Sequence, residues 1–228
     1  PMALNMKESQ AIAIVQRELN GKLCIAHYRR ALDAFIFIKK LLSDKAIGQV
    51  RFARISIFQP NASTIVVQTE SNWRTNPVIS GGGLFHDLAP HQIDLMINWF
   101  GNPVDITGLS ANRSGYSDAD DLVMGEFTCQ NKVVIQGAWC FSVAASQALD
   151  SCEIYGSKGK ISFSFFGDKV IWQNKEGIFE QTFNSPKNIQ LPMIQQVVDY
   201  FQNKAENPCS PDDAIEVMRV MDRFTGLG

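Results

Sequence analysis

Asp87 and His91 stand four residues apart in the run Ser80-Gly81-Gly82-Gly83-Leu84-Phe85-His86-Asp87-Leu88-Ala89-Pro90-His91-Gln92-Ile93-Asp94-Leu95. On a helix that spacing puts both side chains on one face, where a carboxylate can orient and charge-stabilise an imidazole that titrates near neutral pH. The chemistry this supports is proton transfer to or from a substrate hydroxyl. The same spacing also suits a surface pair or a helix cap. Pro90 would cost about 3 kcal/mol deep inside a helix, so regular helix is expected to begin close to Pro90, with Asp87 at its N-terminal edge. The three glycines allow a sharp turn or close approach of backbone to a ligand. They do not form G-x-G-x-x-G, and no strand immediately precedes them, so a dinucleotide fingerprint is absent from these 228 residues.

Two other segments carry candidate ligand-binding groups. Tyr28-Arg29-Arg30 follows the apolar run Lys22 to His27, and arginines at a strand end can clamp anions or sugar hydroxyls. They could equally be solvated or paired structurally. Trp73-Arg74 lies in a long loop from Pro60 to Pro77, where an aromatic face beside a guanidinium suits a planar ring or a sugar, or simply anchors the loop. His27 reads as a strand-end residue, and His86 has no evident partner. A metal site needs three or four converging ligands, so none is expected; a zinc hydrolase built on His86 and His91 is the minor alternative.

The elements that must position these groups follow from pattern. Asn5 can cap a helix, with Glu8 reaching back as in a capping box, and Ile12, Val15 and Leu19 recur at helical spacing. Lys22 to His27 reads as a buried strand, and Ala34 to Ser43 as a helix closed by Gly48. Val50 to Phe58 alternates as a strand. After the helix near Pro90 to Phe100, strands are expected at 104–112, 121–128, 132–140, 148–155, 160–166 and 169–173, several joined by hairpins. Helices from Met193 to Lys204 and Asp212 to Phe224 close the chain. The fold class is α+β: a largely antiparallel open sheet with helices on one face, preceded by a short α/β piece.

Composition narrows the function classes. There are 21 Lys and Arg against 23 Asp and Glu, a net charge of −2, which leaves no uniform basic field for nucleic acid or an anionic membrane. No window approaches the roughly 20 apolar residues of a membrane-spanning helix. The five cysteines, at 24, 129, 140, 152 and 209, are scattered like core thiols of a reducing compartment, which leads to a cytoplasmic expectation.

Taken in order, the segments resemble the Gfo/Idh/MocA oxidoreductases, the nicotinamide-dependent sugar and inositol dehydrogenase family. Pro1-Met2-Ala3-Leu4-Asn5 resembles the segment completing that family's E-K-P motif. Ala26-His27-Tyr28-Arg29-Arg30, Ala46-Ile47-Gly48-Gln49-Val50, Trp73-Arg74 before the glycines, Asp87-x-x-x-His91, and Tyr155-Gly156-Ser157-Lys158-Gly159-Lys160 follow in the family's sequence. The resemblance spans nearly the whole chain. It implies that residues 1–28 are the tail of an N-terminal Rossmann domain and 29–228 an α+β substrate and oligomerisation domain. It also implies NAD or NADP as cofactor, a sugar or polyol substrate, and a homodimer or tetramer formed through the sheet.

By the same resemblance His91 is the catalytic proton-transfer residue and Asp87 the carboxylate assisting it. Tyr28 and Arg29 are the substrate-binding candidates, and Trp73 and Arg74 contact the nicotinamide end of the cofactor. The family's catalytic lysine would stand immediately before Pro1, so residues 1–228 alone are expected to be inactive. The competing expectation is a non-catalytic dimerisation or ligand-binding protein on the same fold.

Overall fold

A computed structural model describes residues 1–61 and 73–227. Among these residues, eight strands form one sheet: β1 (Val50–Phe58), β2 (Pro103–Ala111), β3 (Leu122–Cys129), β4 (Val134–Cys140), β5 (Leu149–Gly156), β6 (Gly159–Phe163), β7 (Lys169–Asn174) and β8 (Gly177–Thr182). Their order is β2-β3-β4-β1-β5-β6-β7-β8. Only the β1–β4 pair is parallel, with Phe52 opposite Val134; every other neighbour is antiparallel. The six strands expected after the central helix are all present. The eighth, Gly177–Thr182, escapes sequence reading because five of its six residues are exposed, so no alternation marks it.

The helices are α1 (Met6–Glu18), α2 (Asp33–Ser43), the single turn α3 (Pro77–Ser80), α4 (Gly83–Phe100), α5 (Leu191–Phe201) and α6 (Pro211–Thr225). Asn5 does cap α1, its Oδ1 accepting from the Glu8 N–H at 2.9 Å, but the Glu8 carboxylate reaches past Asn5 to the Leu4 N–H at 3.2 Å. α6 carries the complete capping box, Ser210 with Asp213. Phe35, Ile38 and Leu41 of α2 join Ala53, Ile55 and Ile57 of β1 and Ile93 and Met96 of α4 in one core. The opposite sheet face shows Leu109 and Met124, cross-strand partners that are both exposed.

Two local expectations change. Residues 22–27 form no strand, because nothing among the described residues lies beside them to make a ladder. Their backbone is tied instead to the α5–α6 connection, through Ile25 N–H to the Cys209 carbonyl (3.0 Å) and Asn207 Nδ2 to the Leu23 carbonyl (2.8 Å). Helix α4 begins at Gly83, a full two turns before its expected start, and Pro90 lies inside it. Gly81, Gly82 and Gly83 all have positive φ, which lets the chain leave α3 and enter α4 without a linker. The roughly 3 kcal/mol of a mid-helix proline is outweighed by burying Phe85, Leu88, Ile93, Leu95 and Met96, each contributing about 1.5–3 kcal/mol. Asp87 therefore sits within the helix rather than at its edge. Among the described residues, no helix is long and apolar enough to cross a membrane.

Candidate active site

Helix α4 packs against β3 and β4 of the sheet. Gln92, on that helix, accepts a hydrogen bond from Trp139 Nε1 of β4 at 2.6 Å, which fixes its rotation against the strands. One turn from Asp87, His91 faces the 3-10 turn Tyr28–Ala31 that follows the 22–27 segment. Its ring meets Tyr28 edge-on at 4.9 Å between centroids and His27 at 5.6 Å. These three rings, with Pro1, Ile25, Ala26 and Gln190, line a cavity of about 240 Å³.

Burial pushes the His91 imidazole well below its ordinary 6.5, with His27 and Arg29 adding to the effect. At neutral pH it is therefore an uncharged base, ready to accept a proton. Its Nδ1 is buried with no hydrogen-bond partner, which leaves Nε2 as the nitrogen able to meet a hydroxyl in the cavity.

Asp87 is held from the other side. Arg74 Nε donates to its Oδ2 at 3.0 Å, and the Arg74 guanidinium also lies over the Trp73 ring at 4.5 Å. The structure thus joins Trp73, Arg74 and Asp87 into one group on the α4 face. Asp87 and His91 share no direct hydrogen bond among the described residues. Of the loop expected from Pro60 to Pro77, residues 62–72 lie outside the described residues, and Trp73–Thr75 form a 3-10 turn.

The adjacent arginines of Tyr28-Arg29-Arg30 part company. Arg30 grips Asp94 with two bonds, Nε to Oδ2 at 2.8 Å and Nη2 to Oδ1 at 2.7 Å, and touches Asp213 at 3.2 Å. This is the structural pairing foreseen as the alternative, and it clamps α4 to the 3-10 turn and to α6. Burial raises the Asp94 carboxyl to about 6, against the pull of Arg30. Arg29 turns away from the His91 cavity into a second pocket.

His27 is the residue that sequence reading undervalued. It lies against the candidate base, and the available signal was its place directly before Tyr28 in a motif already singled out. His27, Asp94 and Cys209 bring ligand atoms within 4.8 Å of one another. Both Asp94 oxygens are already taken by Arg30, whose fixed positive charge opposes a cation there. His86 does not join His91. It packs against the glycine turn, where a Cβ on Gly82 would overlap its Nδ1, so Gly82 is required for space as well as for its φ of +158°.

All three histidines make stability depend on pH. Burial pushes His27 down to about 3 and His86 to about 4, while the unfolded chain titrates near 6.5. Below 6.5 the unfolded state binds more protons, so stability falls as pH falls, by about 1.4 kcal/mol per unit for each group. Asp94, raised to about 6, works in the opposite sense below that value and cancels part of the loss. Urea unfolding at pH 6.5 and 5 is expected to show a loss that His27→Leu reduces by about 2 kcal/mol. An unchanged difference would show that His27 is protonated in the folded state.

Residues 35–162 match the GFO/IDH/MocA C-terminal domain. Oxidoreductase P35 of Formosa agariphila is 41% identical over 227 residues, covering 99% of this chain and 69% of that protein. Inositol 2-dehydrogenase of Rhizobium meliloti is 25% identical over 166 residues, 71% of this chain and 47% of that protein. In fold, the chain resembles aldose-aldose oxidoreductase from Caulobacter crescentus complexed with glycerol, at TM-score 0.84 and 18% identity over 100% of this chain and 68% of that one. It also resembles levoglucosan dehydrogenase in complex with NADH and levoglucosan, at TM-score 0.83 and 19% identity over 100% of this chain and 69% of that one.

Proposed function

The chain belongs to the GFO/IDH/MocA family of oxidoreductases, and from that premise we propose that the whole protein interconverts a hydroxyl and a carbonyl on a sugar or polyol, using NAD or NADP. The observation that carries this reading is His91: a neutral, half-buried imidazole with one nitrogen left for a cavity and a carboxylate one turn away. The named relatives support the substrate class, since they include an inositol dehydrogenase and a levoglucosan dehydrogenase.

The residues present fit the nicotinamide end of such a cofactor. The donor set on the α4 face combines a half-exposed indole, Trp73, with a guanidinium that carries a bound carboxylate, and these are the groups that would hold a planar, polar-edged ring. A bound nicotinamide supplies acceptance and return of hydride at the carbinol carbon.

The rest falls to side chains of this chain. As the alcohol is oxidised its O–H bond breaks and the proton goes to His91; in the reverse direction His91 returns it. Asp87, directed by its ion pair with Arg74, accepts a hydrogen bond from a neighbouring substrate hydroxyl and compensates the charge that forms on His91. Tyr28 packs on the His91 ring and limits its rotation.

The test is reduction of NAD or NADP by the whole protein with a panel of monosaccharides, disaccharides and inositols, followed by absorbance. Turnover on at least one sugar or polyol is expected. Failure across the panel with both cofactors would favour the non-catalytic reading of the same fold.

A further inference from the structure

Arg29 is 3% exposed and its guanidinium closes a pocket of about 190 Å³, bounded by the start of α2, the β6–β7 turn and the 183–192 connection. That pocket abuts the His91 cavity. The ring of Tyr28 stands 4.9 Å from His91 and 5.4 Å from the Arg29 guanidinium, which in turn lies 4.4 Å from the Phe166 ring. The same short turn borders both spaces, Gln190 in the first and Ile189 and Pro192 in the second.

The hydrogen bonding of Arg29 is incomplete. Nη1 donates to the Phe165 carbonyl, Nε is buried without a partner, and Nη2 donates to no group among the described residues. Unmet donors on a buried cation are costly, so an acceptor brought into the pocket would be favoured. Burial lowers the Arg29 ionisation, and Tyr28 and Asp150, the latter also accepting from the Phe165 and Phe166 N–H groups at 3.0 and 2.8 Å, offset only part of that effect. The pocket therefore asks for an acceptor oxygen at Arg29.

Its walls define the remainder of the ligand. Phe35 and Phe166 offer apolar faces, while Asn184, Ser185 and Asp33 offer a polar rim. A cavity of about 150 Å³ takes up benzene, so this one has room for a single six-membered ring. A sugar ring combines an apolar C–H face with hydroxyl oxygens at its edge. We propose that this pocket holds a second sugar ring, so that the substrate is a glycoside of at least two rings, one at His91 and its neighbour in the pocket that Phe166 and Arg29 line. This rests on the sugar oxidoreductase reading and extends it to substrate length.

The test is calorimetric titration of the whole protein with three matched pairs: glucose and cellobiose, galactose and lactose, mannose and mannobiose. In at least one pair the disaccharide is expected to bind about tenfold tighter than its monosaccharide. Phe166 is half-exposed, so Phe166→Ala is expected to fold, with a thermal melt as the check. It should erase most of that ratio and leave monosaccharide affinity within about twofold. Monosaccharide binding with no disaccharide advantage in any pair, or an advantage that survives Phe166→Ala, overturns the second-ring pocket alone. Absence of binding by every sugar overturns the sugar reading and this pocket with it.

Discussion

Replacing His91 with Ala is expected to lower kcat of the whole protein by about 10²- to 10⁴-fold, the range for loss of a positioned general base, with cofactor affinity nearly unchanged. An imidazole at the surface would be partly protonated near neutral pH, whereas His91 is held neutral by its surroundings and needs no deprotonation before it acts. With its Nδ1 enclosed, only the cavity-facing nitrogen can exchange a proton. Wild-type kcat for alcohol oxidation should accordingly stay level on lowering pH through 6.5, because the folded His91 titrates below that value. The Ala variant loses the base and keeps the Trp73, Arg74 and Asp87 group intact. A kcat within threefold of wild type would remove His91 from the mechanism.

The largest effect on stability is expected at Asp94. Asp94→Ala leaves the Arg30 guanidinium, 9% exposed, without its two-bond partner, and breaking a buried pair on one side costs about 3–5 kcal/mol. For a chain of this size that is on the order of 10 °C in Tm. Asp213 does not rescue the charge, because it reaches only Nη1, at 3.2 Å, and is itself half-exposed. The double change Arg30→Met with Asp94→Leu should recover most of the loss, since both charges leave together and the volume is filled. Equilibrium urea unfolding of the three proteins measures this. A loss below about 1 kcal/mol for Asp94→Ala would show that the pair is solvated rather than buried.

Much of the sheet was legible because alternation survives wherever one face is covered and the other is not. Val50–Phe58 shows this directly, its buried Ala53, Ile55 and Ile57 alternating with Arg54 and Ser56. Where tertiary contacts override local preference, sequence misleads. Pro90 argued for a helix beginning at residue 90, yet the apolar residues on either side bury enough surface to carry the helix through it. Lys22 to His27 has strand composition, but a strand exists only beside another. At the site, the Asp87 and His91 spacing was legible since it lies within one helix. The His27 to His91 approach and the Arg30 to Asp94 clamp were not, because each joins residues more than sixty positions apart in the chain. Asp94 left a trace nonetheless, as a carboxylate in an otherwise apolar stretch, which usually means a buried partner.

The position of β1 bears on how such a chain is made. It pairs on one side with β4 and on the other with β5, so its first partner is synthesised roughly eighty residues after it. Until then β1 offers two unpaired edges rich in isoleucine and phenylalanine, the kind of segment that associates with copies of itself. The hairpin of β3 and β4 is local and can form early, as can the meander from β5 to β8. Neither half can dock until β1 bridges them. Yield on expression should therefore depend on temperature and on chaperone supply more than on the stability of the finished fold.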